Sequence, residues 1–548
     1  MNDSRSPPQP ATDFDAVIVG AGFAGLYMLH KLREAGFSAR VFEAGTGVGG
    51  TWYWNRYPGA RCDIESVDYS YSFSPELEQE WQWSERYPRQ PEILAYLNHV
   101  ADRFDLRRDI HLETRVTAAH FEEQAGLWQV ETDRGQRVTA RYCVMATGCL
   151  SLPKRPDFPG VDQFAGDWYL TAAWPKQDVD LTGKRVGVVG TGSTAIQVIP
   201  QVARQAAHLT VFQRTANFSV PARNGPLPQS DQQRIKAQYP SRRRLSRESL
   251  FGVPVAMPAA PRRTRDIPPD ELRQTLETLW AQGGAMSLLA AAPDVIADAE
   301  ANTLVADFVR EKIRATVKDP KVSAMLCPTT HPLGTKRLCL DTEYYETYNR
   351  DNVTLVDLRA TPIEQITEHG LRTSAAEYPL DVLIFATGFD AMTGALNSID
   401  IRGRDGLALK QAWAGGPQTY LGLASAGFPN MFLITGPQSP SVFSNMVVSI
   451  EQHVEWIAGC LAYLREHDLA CIEANPQAQA GWVAHVADVA NSTLLPQTDS
   501  WYVGANVPGK PRVFTPYLGG VGPYRQHCQQ VAANGYEGFE LSRQPVAA

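Results

Sequence analysis

Two glycine clusters stand where a chain could hold two dinucleotides. Gly20, Gly22 and Gly25 lie in AVIVGAGFAG (Ala16 to Gly25), and Gly190, Gly192 and Ala195 lie in RVGVVGTGSTA (Arg185 to Ala195). In each, an apolar β-branched run leads into a tight turn and then a helical-looking stretch. The first glycine allows the turn, the second lets backbone N–H groups approach a pyrophosphate, and the third, small position lets helix and strand pack closely. The helix N-terminus then faces the phosphates. Two such motifs, about 170 residues apart, suggest that one dinucleotide reduces another; a nicotinamide reducing a bound flavin is the economical reading. Glu43 lies 18 residues past Gly25, about where an acid meets a ribose hydroxyl. The second motif has no such acid: its next strand, HLTVFQR, runs into Gln213-Arg214-Thr215. An arginine there holds a 2′-phosphate that an acid would repel, which points to NADPH over NADH. An exposed strand-end arginine is the alternative for Arg214.

These residues need elements to position them. LYMLHKLREAG places Leu26, Leu29 and Leu32 on one helix side, with Gly36 as the stop, and SARVFEAG supplies the strand ending at Glu43. YCVMATG (Tyr142 to Gly148) and DVLIFATGFD (Asp381 to Asp390) are near-duplicates, read as the two places where the chain crosses between dinucleotide units. The expected fold is α/β, with two Rossmann-like domains. Residues 13–148 and 384–548 form a discontinuous FAD domain, residues 149–383 an NADPH domain with a helical insertion at 222–330, and residues 1–12 a disordered leader. In the insertion, Leu272, Leu276, Leu279 and Trp280, then Leu304, Phe308 and Ile313, recur at helical spacing. Its basic clusters, Arg242-Arg243-Arg244 and Arg262-Arg263, read as solvated faces.

A chain of 548 residues is long enough for two or three domains, and its formal charge of −8 argues against a general nucleic-acid role. No apolar stretch reaches membrane-spanning length. The 8 cysteines include no C-x-x-C pair, and the 11 histidines show no H-x-x-x-H spacing on a helix, so neither a dithiol centre nor a metal site is expected. Scattered cysteines fit a reduced, cytoplasmic compartment.

Further motifs resemble one family. Gly49 to Gly59 (GGTWYWNRYPG) followed by Arg61-Cys62-Asp63 is similar to the flavin-contacting segment of Baeyer–Villiger monooxygenases. Phe164-x-Gly166-x-x-x-Leu170-x-x-x-Trp174-Pro175 resembles their fingerprint, and Gly334-Thr335-Lys336-Arg337 and SWYVGANVPGK (Ser500 to Lys510) also match. The resemblance runs from about residue 13 to the C-terminal GYEGF. It implies that NADPH reduces FAD, that a C4a-peroxyflavin forms with O2 and attacks a ketone, and that migration of a carbon group gives an ester or lactone, with sulfoxidation as a side activity. Arg337 is the implied catalytic cation, since arginine keeps its charge where lysine could lose it, and Asp63 the acid that orients it; a second phosphate contact beside Lys336 is the alternative for Arg337. Lys336 and Arg214 would share the 2′-phosphate, and Trp501 would lie against the nicotinamide nucleotide. Gly50, Thr51, Trp52 and Met446 would line the flavin, with Phe23, Ala24, Ile64, Tyr69 and Val116 as further candidates. Thr191, Ser193, Thr194, Gln197 and Thr215 are candidates on the NADPH side. The loop GPQSPSVFSNM (Gly436 to Met446) matches a substrate-pocket loop, with Ser441, Val442 and Phe443 as lining residues; the bulk of Phe443 suggests a ketone shape of its own. A small-molecule ketone and O2 are the implied partners, for a monomer.

The fingerprint has histidine where this chain has Leu170. A histidine could hydrogen-bond across a domain junction and leucine cannot, so either coupling between the domains is weakened or leucine packs an apolar junction. Two other functional readings stay open: an NADPH oxidase releasing hydrogen peroxide, and a non-catalytic FAD-binding redox sensor.

Overall fold

The computed structural model describes residues 12–255, 261–284 and 288–543; the leader expected at residues 1–12 lies almost wholly outside them. Two sheets dominate. In the first, strand Phe14–Val19 runs parallel to Ala39–Phe42 on one side and to Arg137–Met145 on the other. The sheet extends through Leu127–Thr132 and Val116–Glu122 to Asp400–Arg402, and Met431–Leu433 also pairs with Arg137–Met145. The second sheet is all parallel, in the order Val353–Asp357, His208–Gln213, Arg185–Val189, Val382–Phe385, Asp167–Leu170. Parallel strands covered on both faces need continuous apolar runs, and Ala16, Val17 and Ile18 in one sheet and Val186 and Val188 in the other are fully buried.

Each motif turns at the carboxyl end of a central strand. Gly20 has φ +105°, and a Cβ there would lie 2.6 Å from the Ala146 carbonyl oxygen; Gly190 has φ +115° and the same relation, at 2.8 Å, to Ala386. Helices Phe23–Glu34 and Ser193–Gln205 follow, and neither has an acidic residue in its first turn or a side-chain cap. Their first N–H groups are thus the donors an anion would meet. Leu26, Leu29 and Leu32 are fully buried against the first sheet.

Between the second sheet's strands lie helices Gln229–Lys236, Tyr239–Glu248, Pro269–Gln282, Ala299–Thr316 and Pro320–Leu326. Two expectations are corrected here. Leu304 is 53 % exposed, because the buried stripe of Ala299–Thr316 runs through Ala301, Val305, Phe308, Val309 and Ile313. Each residue turns about 100° around the axis, which puts Leu304 on the far flank of a stripe centred on Val305 and Val309. Arg242 and Arg243 do not form a solvated face. Arg242 reaches both carboxylate oxygens of Asp68 at 2.6 Å. Arg243, 5 % exposed, donates to Glu78 and to the Ser70 hydroxyl, each at 2.7 Å, and to the Asp68 carbonyl at 3.2 Å. Arg244, Arg262 and Arg263 are exposed. Burial opposes the charge of Arg243, and the Glu78 carboxylate together with Tyr239 and Asp68 outweighs it, raising the guanidinium pKa.

Leu170 ends strand Asp167–Leu170 opposite Phe385 and packs against the apolar cluster of Phe164, Val189, Phe212 and Phe385. That surrounding favours the packing role. Leu170→His is expected to lower stability by roughly 1–2 kcal/mol, the cost of a poorly paired polar group at an apolar site, and to leave the ratio of ester formed to NADPH consumed unchanged. Thermal melts together with product and peroxide assays check both; a higher ratio with histidine would restore the coupling role. Among the described residues, no helix is long and apolar enough to cross a membrane, and no group of three or more His, Cys, Asp or Glu is placed to hold a metal ion.

Candidate active site

Arg337 enters the site from a tightly built turn. Gly334 has φ +83°. The fully buried Thr335 donates to the Pro332 carbonyl at 2.8 Å and accepts from the Thr498 hydroxyl at 2.9 Å. Just beyond, Cys339–Asp341 pairs in parallel with Ser219–Pro221, and the Asn217 amide donates to the Arg337 carbonyl at 3.1 Å. With its main chain pinned, Arg337 directs Nε and Nη2 to one oxygen of Asp63, at 3.1 and 2.5 Å, and Nη1 to the Val442 carbonyl at 2.8 Å. Burial is the largest single influence and would weaken its charge; the Asp63 carboxylate together with other neighbours outweighs it and holds the guanidinium above its ordinary range. Val442 has φ +64°, a costly conformation for a β-branched residue, in the turn that points its carbonyl at Arg337. The structure therefore brings together three segments distant in sequence: Arg61-Cys62-Asp63, Lys336-Arg337, and the loop of Ser441, Val442 and Phe443.

On the first-motif side, both oxygens of Glu43 accept backbone N–H groups, from Ala21 at 2.8 Å and Gly45 at 2.7 Å, so the acid bridges the glycine turn and the loop after the second strand. Gly50 (φ +52°) touches Gly22: a Cβ on Gly50 would lie 2.9 Å from the Gly22 Cα. Trp52 is buried and donates to the Tyr69 hydroxyl at 3.2 Å, while Thr51 beside it is exposed. Ile64 is half-buried next to Asp63, and Ala24 is buried in the first helical turn. Met446 approaches Arg337's partner, its sulfur accepting the Val442 N–H at 3.1 Å. Two candidates turn their side chains elsewhere: the Phe23 ring packs on Tyr69 and Tyr71, and Val116 lies in the apolar cluster behind the sheet with Val17 and Phe42. Only their main chains are offered to a cofactor.

On the second-motif side, the Thr191 hydroxyl donates to the Thr215 carbonyl at 2.7 Å, which ties the glycine turn to the end of the next strand. Ser193 and Thr194 stand in the first helical turn and Ala195 is buried beneath them. Gln197 is committed differently from the expectation. Its amide accepts from the Tyr57 hydroxyl at 2.8 Å and donates to the Arg61 carbonyl at 3.1 Å, so it joins the two glycine-motif units. Gly59 makes that approach possible, since a Cβ there would lie 2.4 Å from the Gln197 carbonyl oxygen. Arg214 and Lys336 lie close enough that, after burial, the arginine's charge is the largest influence lowering the lysine pKa. Arg359, not anticipated from the sequence, joins them: its Nε donates to the Arg214 carbonyl at 2.9 Å and its charge also bears on Lys336. Its only signal was position, just past a strand that neighbours Arg214's own. Three cations held together suit an anion with several oxygens, such as a 2′-phosphate.

An apolar cluster lies beside Arg337, through Val442. Cys149, Met392, Val442, Leu495 and Tyr502 are buried together, with Phe443 and Trp501 packed on them. Phe443 lies 4.5 Å from Tyr502 and 6.2 Å from Phe514, ring to ring, and Ser441 is fully buried with its hydroxyl unpartnered. The glycine cradles, the cation group and the fixed guanidinium thus fit a flavin and a phosphorylated nicotinamide nucleotide.

Comparison with known proteins agrees with this geometry. A family model described as pyridine nucleotide-disulphide oxidoreductase matches residues 17–236. A Baeyer–Villiger monooxygenase of Pseudooceanicola batsensis is 44 % identical over 96 % of this chain and 95 % of its own length. Among solved structures, an oxidized steroid monooxygenase bound to NADP is 54 % identical, with a TM-score of 0.93 over 97 % of this chain and 99 % of that one. OTEMO in complex with FAD and NADP is 42 % identical, with a TM-score of 0.94 over 97 % of this chain and 100 % of that one. The glycine cradles, the Arg337–Asp63 pair and full-length relatives of this kind lead to one conclusion: the chain belongs to the Baeyer–Villiger monooxygenase family.

Proposed function

We propose that this protein uses FAD and NADPH to insert one oxygen atom of O2 beside the carbonyl of an uncharged ketone, giving an ester or lactone. The observation that carries this reading is Arg337 held by Asp63 and by the Val442 carbonyl beside an apolar cluster. The units behind it are residues 13–148 with 384–548 for FAD and 149–383 for NADPH. The strand Val382–Phe385 pairs with Arg185–Val189 as far as Phe385, which puts the end of the second sheet two residues beyond 383.

FAD would be held by Gly20, Gly22, Gly25, Gly50 and Trp52, and NADPH by Gly190, Gly192, Arg214 and Lys336. Bound flavin, reduced by the nicotinamide, supplies the activated oxygen. The protein's own part is electrostatic. Arg337 keeps a permanent cation where negative charge gathers on oxygen, and Asp63 and Val442 fix its direction beforehand, so little reorganisation is left for the reaction itself. The apolar walls strengthen that interaction by excluding water. A sensor that only bound FAD would have no use for a guanidinium fixed in this way. A panel of ketones with NADPH, scoring esters by mass and hydrogen peroxide separately, tests the reading; peroxide without ester across the panel would favour the oxidase.

Arg214→Ala removes one charge-assisted contact to the 2′-phosphate. It is expected to raise the KM for NADPH by about ten- to a hundredfold, corresponding to about 1.5–3 kcal/mol, with the KM for NADH little changed. Steady-state kinetics with both nucleotides check this, and a wild-type enzyme indifferent to the phosphate would overturn the assignment.

A further inference from the structure

Asp63 and Arg337 meet across 274 residues of chain, and the main chain that carries Asp63 is fastened on two sides. On one side Arg61 forms an antiparallel bridge with Arg89: the Gln90 N–H donates to the Ala60 carbonyl at 2.9 Å, and the Cys62 N–H donates to the Pro88 carbonyl at 3.1 Å. Pairing through the flanking residues turns the N–H and C=O of Arg61 itself to the opposite side. There Gln197 meets both. Its Nε2 donates to the Arg61 carbonyl at 3.1 Å, and its Oε1 accepts the Arg61 N–H at 3.4 Å and the Tyr57 hydroxyl at 2.8 Å. A side-chain amide sets a donor and an acceptor side by side, as a strand edge does, so Gln197 stands in for a third strand. The body behind Gln197 is the one that carries Arg337. Helix Ser193–Gln205 and strand Cys339–Asp341 share a core in which Ala195, Ile196 and Ile199 are buried with Cys339 and Leu340. Tyr57 and Ala60, from the Asp63 segment, are buried in that same core.

We infer that Gln197 is a positioning residue for oxygen transfer. By gripping Arg61 it sets Asp63 against the body that carries Arg337, so that the fork of Nε and Nη2 on one Asp63 oxygen is in place before a ketone arrives. The inference rests on Arg337 being the catalytic cation. Asp63 follows Arg61 by two residues, a tether too short to absorb a shift at Arg61. Preorganisation counts most where charge develops during the reaction, and a misplacement of about 1 Å that originates far from the reacting atoms costs up to about a hundredfold in rate. Ser193 and Thr194 lie about one turn before Gln197 on the same helix. The helix end that meets the nucleotide and the amide that sets the catalytic pair therefore belong to one rigid element.

Gln197→Met removes the amide at nearly constant length but strands the Tyr57 hydroxyl, so it is made together with Tyr57→Phe, and Tyr57→Phe alone is the reference. The reference keeps the grip on Arg61 and is expected to give the wild-type ratio of ester formed to NADPH consumed. Calorimetry with NADP+ on the oxidised, FAD-loaded enzyme should give the same affinity for the double variant as for the reference. Single-turnover ester formation per bound FAD should slow by about tenfold, with hydrogen peroxide rising in its place, measured on the panel ketone that the wild type converts fastest. A loss of stability alone would lower the melting temperature and the FAD content, not the ester yield per bound FAD. Gln197→Glu with Tyr57 intact is the second variant: it keeps the acceptor for Tyr57, loses the donor to Arg61, and should show the same drop in ester yield. Wild-type ester yield per bound FAD in these variants would overturn the inference. Weaker NADP+ binding by the double variant would overturn it too, by making Gln197 a nucleotide contact. The underlying reading fails separately: Arg337→Ala retaining ester formation would refute the catalytic cation, whereas silent Gln197 variants beside an inactive Arg337→Ala remove only the role of the amide.

Discussion

Arg337→Ala is expected to retain bound FAD and to lose ester formation, with kcat falling by about a thousandfold or more. Removing a single preorganised donor from a developing oxyanion already costs about 10²–10³ in rate; here a full charge goes with it. The glycine cradle lies elsewhere: Gly20, Gly22 and Gly25 contact Ala146, Gly50 and one another, not Arg337. Arg337→Lys should recover little. A lysine supplies charge, but the present geometry needs Nε and Nη2 on Asp63 and Nη1 on Val442 at once, and an ammonium on a flexible stem does not reproduce that fork. Flavin absorbance after purification, together with single-turnover ester yield, checks both halves. Ester at the wild-type rate from the alanine variant would show that the guanidinium serves a phosphate beside Lys336.

The second large effect is at Gly25. A Cβ there would lie 1.8 Å from the Gly20 carbonyl oxygen and 2.9 Å from its carbon. Both are backbone atoms of the turn itself, so no side chain can swing aside. Gly25→Ala is expected to destabilise by about 3 kcal/mol or more and to yield protein largely free of FAD, because the strained turn is the one that would meet the pyrophosphate. The other motif shows that the position is not universally closed: Ala195 occupies it, fully buried, at the start of helix Ser193–Gln205. A melting curve and a flavin-to-protein ratio measure the effect; full FAD occupancy with an unchanged melting temperature would mean that the first helix can shift as the second already has.

Backbone demands were legible in the sequence. Gly20 and Gly190 announce positive φ, and the runs before them announce buried parallel strands, so the glycine turns and their strands could be placed from local patterns alone. Arg337 and Asp63 were legible as a pair through motif likeness, and the structure places them 2.5 Å apart. What could not be read depends on partners distant in the chain. Arg243 looks like one of three solvated arginines until Ser70 and Glu78 arrive from another segment. The Gln197 amide looks like part of a nucleotide site until Tyr57 and Arg61 meet it. Val442 carries no sign that its carbonyl would turn toward Arg337, since nothing in a valine advertises a left-handed φ. Leu304 was misplaced for a smaller reason, a helical stripe centred one residue later than its leucine suggested.

The order of strands in the two sheets has a consequence for synthesis. Every strand of the second sheet lies between Asp167 and Phe385, so a ribosome delivers it complete while later residues are still being added. The first sheet begins earlier yet finishes later, because Met431–Leu433 takes its place beside Cys143–Met145 only after the whole second sheet has been made. Domains fold as units during synthesis and long-range pairing is slow. All strands of the second sheet are therefore available before the first sheet can be completed, since its strand Met431–Leu433 is made later.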